Sequence, residues 1–421
     1  MSKHPQLHLF AHLFIALALC AVYFPWSSYP AMAEGRIQAG TTIEVTTQTD
    51  ELNTDGDCSL REALYAANWN TAVDACPAGT GLDTVSIPPG IYNLTVIGAD
   101  EDDGLTGDLD IFEDAIIVGA SLTSTILDGQ DSDRIFQVTA DVEVRFINLT
   151  LRNGYAQGTM YGGGGILNGS ADALPGTIQV INCLFTQNRA ENTSGGLENV
   201  GTATVTNVSF VGNEAAYGGG VFSDGTLILN GVTMQQNSAS KLGGGLYNHT
   251  GATLINVTLS DNSAEEGGGL FNDGNMTMLN VTLANNTTAA LNNGTIRSKN
   301  VIYANSTAGD NCSGHGTYTS AGHNLDSGDT CGLSSLGDLV DANPLLGPLQ
   351  NNQGPTLTHA LLADSPAIDT GDNTDCPLQD QRGAYRPADG DNDTEKICDI
   401  GAYEAGGVFP FYTYLPSVAR H

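Results

Sequence analysis

The chain has 421 residues, in which 47 Asp and Glu outnumber 14 Lys and Arg and give a formal net charge of -33. A protein this acidic repels phosphate backbones and anionic lipids, so we exclude nucleic acid as a partner. The 52 glycines follow no three-residue period, which excludes collagen, and 40% hydrophobic residues argue against a disordered chain. What remains is a large, acidic, Gly-rich protein with short β-prone segments.

The first 33 residues have the pattern of a signal peptide. Lys3 precedes an apolar stretch over 7–23, and Ala31-Met32-Ala33 is a small-residue cleavage site. The alternative is a membrane anchor, but the apolar stretch is short for a span of about 20 residues. We therefore predict cleavage between Ala33 and Glu34, no transmembrane segment in the mature chain, and a secreted or cell-surface protein of a bacterium.

Export changes how the cysteines are interpreted. Six of them fall into three local pairs, each separated by about twenty residues, as expected for disulfides in an oxidising compartment. These pairs are Cys58 with Cys76, Cys312 with Cys331, and Cys376 with Cys398. Spacing alone leaves the connectivity open. Of the other two cysteines, Cys20 lies in the predicted signal peptide, and Cys183 lies in an alternating apolar run, which favours a core position.

A repeat organises the middle of the chain. Asparagines recur every 24 or 25 residues, and a glycine cluster and an apolar pair follow them in most units. The recurring asparagines are Asn188, Asn213, Asn237, Asn262 and Asn286. A unit of this length with two or three short strands fits one coil of a parallel β-helix, which climbs about 4.8 Å per turn. We expect the asparagines to stack as a structural ladder and to occupy left-handed bends. A propeller would need a period about twice as long.

The predicted fold is all-β: a right-handed single-stranded parallel β-helix (solenoid) with a small N-terminal α/β cap and a loop-rich C-terminal segment. The predicted divisions are a signal peptide at 1–33, a cap at 34–82, repeats at 83–309, a C-terminal segment at 310–405 and a tail at 406–421. In the cap, Ser59 and Glu62 form the pattern of a capping box at the start of a helix. We expect the C-terminal segment to close the far end of the solenoid.

Two blocks resemble one group of exported bacterial proteins. Cys58-Ser59-Leu60-Arg61-Glu62-Ala63 is identical to the motif that names the CSLREA family. The C-terminal third resembles the choice-of-anchor Q domain of the same proteins at 310–314, 323–326, 343–349, 354–361, 365–372, 380–383 and 398–404. The resemblance implies a surface or secreted β-helix of pectin-lyase-like fold, and implies no reaction. The chain has no C-terminal Leu-Pro-x-Thr-Gly sorting signal.

Enzymes on such scaffolds use carboxylates that converge with one another or with Arg or Lys. The ionisable candidates in the repeats are Arg145, Arg152, Arg189, Lys241, Glu191, Glu198, Glu214, Asp224, Asp261, Glu265, Glu266 and Asp273. Basic residues do not recur in neighbouring units, and Asp224 and Asp273 precede Gly, where Asp is a turn former. We therefore predict no catalytic residues and lean towards a protein that is not an enzyme.

The isolated histidines at 249, 315, 323 and 359 show no metal spacing. Asp389, Asp391 and Asp393 alternate like the first part of an EF-hand loop but lack its later ligands, which makes them a candidate for weak structural calcium. The acidic run at 100–103, with Asp108 and Asp110, is a second candidate. No cofactor is required.

The leading functional hypothesis is a non-catalytic exported protein that contacts extracellular glycans or other cell-surface ligands in adhesion. Clustering of Tyr155, Tyr161, Tyr217 and Tyr247 on one side would favour glycan binding, although turn packing would also explain their positions beside glycines. The alternatives are a polysaccharide lyase or glycoside hydrolase on the same scaffold, and a purely structural envelope component.

Overall fold

The computed structural model describes residues 39–98, 102–139, 141–158, 161–169 and 175–410. All of them belong to one unit, Gln38–His421. The predicted signal peptide and its cleavage site at Ala33 and Glu34 lie outside the described residues. Among the described residues, no helix is long and apolar enough to span a bilayer.

The fold is a right-handed parallel β-helix, which confirms the predicted fold class. Each complete coil contributes one strand to each of three long parallel sheets, and five coils add a strand to a shorter fourth sheet. The eleven-stranded sheet contains, in spatial order, Ala39–Glu44, Leu82–Ile87, Ala115–Gly119, Glu143–Ile147, Thr177–Ile181, Thr202–Thr206, Thr226–Asn230, Gly251–Ile255, Asn275–Leu279, Thr295–Lys299 and Thr317–Ser320. The ten-stranded sheet contains Gly90–Asn93, Thr125–Asp128, Thr150–Arg152, Leu184–Thr186, Ser209–Val211, Thr233–Gln235, Thr258–Ser260, Thr282–Ala284, Ile302–Ala304 and Leu325–Asp326.

The other two parallel sheets complete the coils. The five-stranded sheet contains Tyr155–Ala156, Arg189–Ala190, Glu214–Tyr217, Ser238–Leu242 and Ser263–Glu266. The nine-stranded sheet contains Leu109–Ile111, Phe136–Val138, Ile166–Asn168, Leu197–Asn199, Val221–Ser223, Leu246–Asn248, Leu270–Asn272, Ala290–Asn292 and Cys312–Ser313. The stack therefore includes Ala39–Glu44 from the predicted cap and Cys312–Ser313 from the predicted C-terminal segment.

The core is a thin apolar column inside the coils. Strands of the eleven-stranded sheet alternate, so that Val180, Val205 and Leu229 are buried on successive coils. In the ten-stranded sheet, the rings of Phe185 and Phe210 stack with their centroids 4.7 Å apart. Because every coil buries a similar small area, stability is distributed along the rod.

The ladder and the left-handed bends, which the sequence analysis assigned to the same asparagines, are formed by two different sets of asparagines. The predicted ladder residues are fully or almost fully buried, and each side-chain amide donates to the side-chain oxygen of the next, as Asn213 Nδ2 does to Asn237 Oδ1 at 2.9 Å. The left-handed bends belong instead to other asparagines, such as Asn207 with φ of 55° and Asn256 with φ of 52°. A second buried column, which the sequence analysis missed, joins Asn248, Asn272 and Asn292.

The N-terminal cap is built around helix Leu60–Trp69. The capping box is present, because Glu62 N donates to Ser59 Oγ and Ser59 N donates to Glu62 Oε2. The Arg61 side chain is fully buried, and its guanidinium binds Asp50 and three backbone carbonyls of the loop at 104–108. The motif therefore starts the helix and also ties it to the first coils.

The three predicted disulfides are confirmed: Cys58–Cys76, Cys312–Cys331 and Cys376–Cys398. Cys183 is a buried free thiol, and desolvation raises its pKa to about 12. Its thiolate is therefore strongly disfavoured, in agreement with the predicted core position.

The expectation that the C-terminal segment closes the far end is wrong for most of that segment. An antiparallel pair, Leu346–Gln350 and Thr358–Leu361, and the chain that follows lie against the outer face of the ten-stranded sheet. Thr233 Oγ1 donates to Leu357 O at 2.6 Å, and Thr258 Oγ1 donates to Gln381 Oε1 at 2.7 Å. The outward threonines and serines of this sheet offer hydroxyls at regular spacing, and these bind the segment 346–404, which we call the C-terminal strap.

The strap contains a buried charge network. Asp380 pairs with Arg382 at 2.7 Å, and the side chains of Arg386 and Glu404 are both fully buried, 3.5 Å apart. Burial and the neighbouring Glu404 raise the pKa of Asp399 to about 8. Three acids thus face two arginines, and the excess negative charge is relieved when Asp399 holds a proton.

Candidate functional site

An aromatic row lies on the outer face of the nine-stranded sheet. Phe222, Tyr247 and Phe271 occupy the middle position of three consecutive strands and are directly in register. Their ring centroids are 5.0 Å and 4.8 Å apart, and neighbouring rings meet edge to face. Phe222 and Tyr247 are half-buried, whereas Phe271 is 3% exposed and serves mainly as packing. We call these three residues the aromatic row.

The glycine clusters place this row. Gly218 precedes Phe222 by four residues and has a φ of 64°, and Gly243 stands in the same relation to Tyr247 with a φ of 69°. A Cβ atom on Gly218 would lie 2.9 Å from the Cβ of Phe222. Only glycine combines the left-handed backbone with this close approach. The turn therefore folds directly over the ring that follows it.

A polar row runs beside the aromatic row, two residues further along the chain on each coil. His249 Nδ1 lies 2.8 Å from Asp224 Oδ1. Tyr247 Oη donates to Asp273 Oδ2 at 2.7 Å, and Asn293 Nδ2 donates to Asp273 Oδ1 at 3.3 Å. Asp224 and Asp273 thus do more than form turns, because each is held by a side chain of a neighbouring coil. We call Asp224, His249, Asp273 and Asn293 the polar row.

Charges and rings from the five-stranded sheet border the aromatic row on its other side. The ring of Tyr217 lies 6.3 Å from that of Tyr247. Lys241 Nζ lies 4.8 Å from the centroid of Tyr217 and donates to its hydroxyl at 3.0 Å. Burial, the hydrogen bond to Asp273 and the charge of Asp224 all raise the pKa of Tyr247, so its hydroxyl stays protonated.

Glu198 stands at the head of the aromatic row, in register with Phe222. It is 1% exposed, and its Oε2 accepts from Gly162 N at 2.5 Å and from Thr193 Oγ1 at 2.6 Å. Desolvation raises its pKa to about 7. Its contacts are to protein groups of the turns at 162 and 193, which makes it a residue that holds this corner of the coil together.

The structure does not assemble the other charged candidates into one site. Arg145 pairs with Glu143, Arg152 with Asp128, and Arg189 with Asp131. Glu214 follows Arg189 on the next coil and is exposed.

The four tyrosines of the glycan-binding hypothesis divide into separate places. Tyr217 and Tyr247 come together, whereas Tyr155 packs under Arg189 at 4.6 Å. The sequence analysis missed Phe222 and Phe271 as site residues. The detectable signal was the apolar pair after each glycine cluster, in which strand alternation turns the second residue outward.

The C-terminal acidic loop gathers a different trio from the predicted one. Asp369, Asp389 and Asp391 place one carboxylate oxygen each within 4.8 Å of one another, and Asp393 is not part of this group. Asp369 Oδ2 accepts from Gly390 N and Asp391 N, both at 2.9 Å. Among the described residues, Asp369 Oδ1 and Asp389 Oδ1 are buried atoms without a hydrogen-bond partner. Desolvation raises the pKa of Asp369.

A second acidic group lies in the N-terminal cap. Glu51, Asp55 and Asp57 offer carboxylate oxygens within 4.8 Å of one another. The closely spaced acids at 51, 55 and 57 are a signal in the sequence that was not among the predicted calcium sites. In the other predicted run, Asp108 pairs with Arg134 at 2.8 Å and Asp110 accepts from the amide at 104, while 100 and 101 lie outside the described residues.

Two of the remaining histidines, His359 and His323, have structural contacts. His359 is buried between Ser260 Oγ, 2.9 Å from Nε2, and Gly347 O, 2.7 Å from Nδ1. Desolvation lowers its pKa, so the neutral ring fits this position. His323 Nδ1 lies 2.7 Å from Thr370 O. Both contacts attach the C-terminal strap to the β-helix.

The chain matches no protein-family model and no curated protein. Among solved structures, it is similar to the crystal structure of pectate lyase Pel9A, with a TM-score of 0.42 and 15% sequence identity, over 87% of this chain and 96% of that chain.

Proposed function

We propose that this chain acts outside the cytoplasm as a glycan-binding β-helix protein, in adhesion or another surface contact. The observation that carries the proposal is the aromatic row with the polar row beside it. Sugar rings present apolar C–H faces that pack on aromatic rings, and their hydroxyl groups bond to carboxylates, imidazoles and amides. Three disulfides support an oxidising compartment.

The geometry suits a glycan chain that runs along the axis of the solenoid. Successive rings of the row are 5.0 Å and 4.8 Å apart, which is close to the length of one sugar unit in an extended chain. Asp224 and His249 are exposed, so their polar atoms are accessible beside the rings. A ligand along this axis would therefore meet accessible rings on two successive coils, at Phe222 and Tyr247, because Phe271 is almost fully buried.

Glycan-array binding followed by calorimetry with the strongest ligand tests the proposal. Phe222→Ala and Tyr247→Ala should each weaken binding at least about tenfold, equivalent to about 1.4 kcal/mol. Tyr385→Ala is the matched control, because Tyr385 is an exposed aromatic residue of the C-terminal strap. Unchanged affinity in both row variants, or equal loss in the control, would refute the site.

A glycoside hydrolase is the second candidate function, and the polar row is the observation that favours it. Asp224 and Asp273 follow strands that lie two coils apart, so their backbones are roughly 9–10 Å apart by the spacing of parallel strands. Inverting glycosidases hold their two carboxyl groups at roughly 6.5–9.5 Å. Reducing-sugar release from neutral polysaccharides, lost in both Asp224→Asn and Asp273→Asn, would establish catalysis. Binding without turnover would support the non-catalytic function.

Family membership and export are part of the same proposal. The helix that begins in the CSLREA-like motif, with its capping box and buried Arg61, supports a relation to the CSLREA and choice-of-anchor Q proteins. We further propose that 1–33 is a cleaved signal peptide. N-terminal sequencing of the secreted protein should begin at Glu34; retention of the first residues would contradict export by cleavage.

We also propose weak structural Ca²⁺ binding at Asp369, Asp389 and Asp391. Carboxylate oxygens are the ligands that Ca²⁺ prefers, and two buried oxygens of this trio have no hydrogen-bond partner among the described residues. Calorimetric titration should show millimolar binding that Asp369→Asn abolishes and Asp393→Asn leaves intact. An absence of heat and of any melting shift at millimolar Ca²⁺ would reject the site.

A further inference from the structure

We propose that the glycan recognised at the aromatic row is uncharged, and that the site discriminates against polyuronates. This inference rests on the proposed glycan-binding function and adds the chemical class of the ligand. It is drawn from the distribution of charge around the row. The charge of the whole chain, -33, is only a background to it.

Two fixed carboxylates border the rings. Asp273 is held by Tyr247 and Asn293, and Asp224 is held by His249. The side chain of Asp224 is 44% exposed, so its charge faces any ligand in the row. Asp273 Oδ2 accepts the hydrogen bond of Tyr247 Oη at 2.7 Å, and the negative charges of both carboxylates raise the pKa of Tyr247.

The five-stranded sheet, which borders the aromatic row on its other side, adds more negative charge than positive charge. Lys241 is exposed and directed at the ring of Tyr217, and the following strand of the same sheet carries exposed Glu265 and Glu266. His249 already faces Asp224 at 2.8 Å.

Three arginines on the N-terminal side of the aromatic row are already paired. Arg145, Arg152 and Arg189 are each committed to a carboxylate of their own. A ligand with one carboxylate per sugar would therefore place its charges beside Asp224 and Asp273, whereas the exposed cations Lys241 and Arg297 lie on other strands, against Tyr217 and on Thr295–Lys299.

An uncharged chain avoids this repulsion and retains every favourable contact. Its hydroxyl groups can donate to Asp224 and Asp273, and its apolar faces can pack on Phe222 and Tyr247. Repulsion between exposed charges falls as salt is added, whereas ring packing does not depend on ionic strength in this way. The dependence of selectivity on salt therefore separates the two contributions.

The experiment compares neutral and uronate oligosaccharides of equal length, by calorimetry with the full mature chain and EDTA. At about 10 mM salt we expect the neutral ligand to bind and the uronate to bind at least about tenfold more weakly. At about 300 mM salt the difference should narrow. The double variant Asp224→Asn with Asp273→Asn should narrow it as well, and the exposed control Asp364→Asn should not.

The outcomes are distinguishable. Equal or tighter binding of the uronate by the native chain would overturn the inference and leave the glycan-binding function standing. Selectivity that the double variant leaves unchanged would also overturn it, because the two carboxylates would then not be its origin. If neither ligand class, nor any glycan on an array, binds, the proposed function itself fails.

Discussion

Because Asn237 belongs to the buried asparagine ladder, we expect Asn237→Ala to lower the free energy of unfolding. The Asn237 side chain is fully buried and makes four hydrogen bonds. Its Nδ2 donates to Phe210 O at 2.9 Å and to Asn262 Oδ1 at 3.0 Å. Its Oδ1 accepts from the backbone N of Asn213 at 3.0 Å and from Asn213 Nδ2 at 2.9 Å.

Removing this side chain takes a partner from buried donors and acceptors on the two neighbouring coils. A net value of roughly 1 kcal/mol per buried hydrogen bond predicts a loss of roughly 4 kcal/mol in the free energy of unfolding. The loss should be localised, because coils of a solenoid contact mainly their neighbours. We therefore expect the coils around Asn237 to be destabilised and the coils at both ends of the β-helix to be less affected.

Urea denaturation followed by circular dichroism measures the total effect, and amide hydrogen exchange locates it. Asn230→Ala is the matched control, because Asn230 is exposed on the preceding strand of the eleven-stranded sheet and should change stability by less than about 0.5 kcal/mol. A loss below about 1 kcal/mol for Asn237→Ala would show that the ladder bonds contribute little beyond what water supplies in the unfolded chain.

Three further predictions concern the Cys58–Cys76 disulfide, the buried Arg61 of the N-terminal cap, and the raised pKa of Asp399. Replacing Cys58 and Cys76 together by Ser should cost about 3 kcal/mol and lower the melting temperature, because an 18-residue separation is no longer cross-linked; an unchanged melting temperature would contradict this. Arg61→Ala should cost roughly 3–5 kcal/mol in urea denaturation, because it leaves Asp50 buried and unpaired; a loss below 1 kcal/mol would be inconsistent with the buried pair. The pKa of Asp399 is raised in the fold to about 8, so its contribution to stability is full below pH 3.8 and declines as pH rises to about 8. The urea midpoint should fall over this interval and fall less in Asp399→Asn; equal slopes would exclude Asp399 as the source.

Sequence alone determined the repeating parts of this protein. Asparagines 24 or 25 residues apart and the glycine clusters between them predicted one coil per unit. Local patterns were equally informative at the helix, where Ser59 and Glu62 form the expected capping box. The three disulfides also join cysteines that are close in sequence. Each of these features depends on residues within one repeat unit or its neighbour. Such features can therefore be predicted from the spacing of residues in the sequence.

The tertiary structure decided everything that depends on register between distant coils. The aromatic row exists because Phe222, Tyr247 and Phe271 are stacked by parallel pairing, and a shift of one residue would have turned them inward. Leu357 of the C-terminal strap accepts a hydrogen bond from Thr233, which is 124 residues away in the sequence. No local sequence pattern predicts such a contact. The spacing of the asparagines predicted the number of residues in each coil, but only the paired register decided which side chains share a face, because side-chain direction in a strand alternates at every residue.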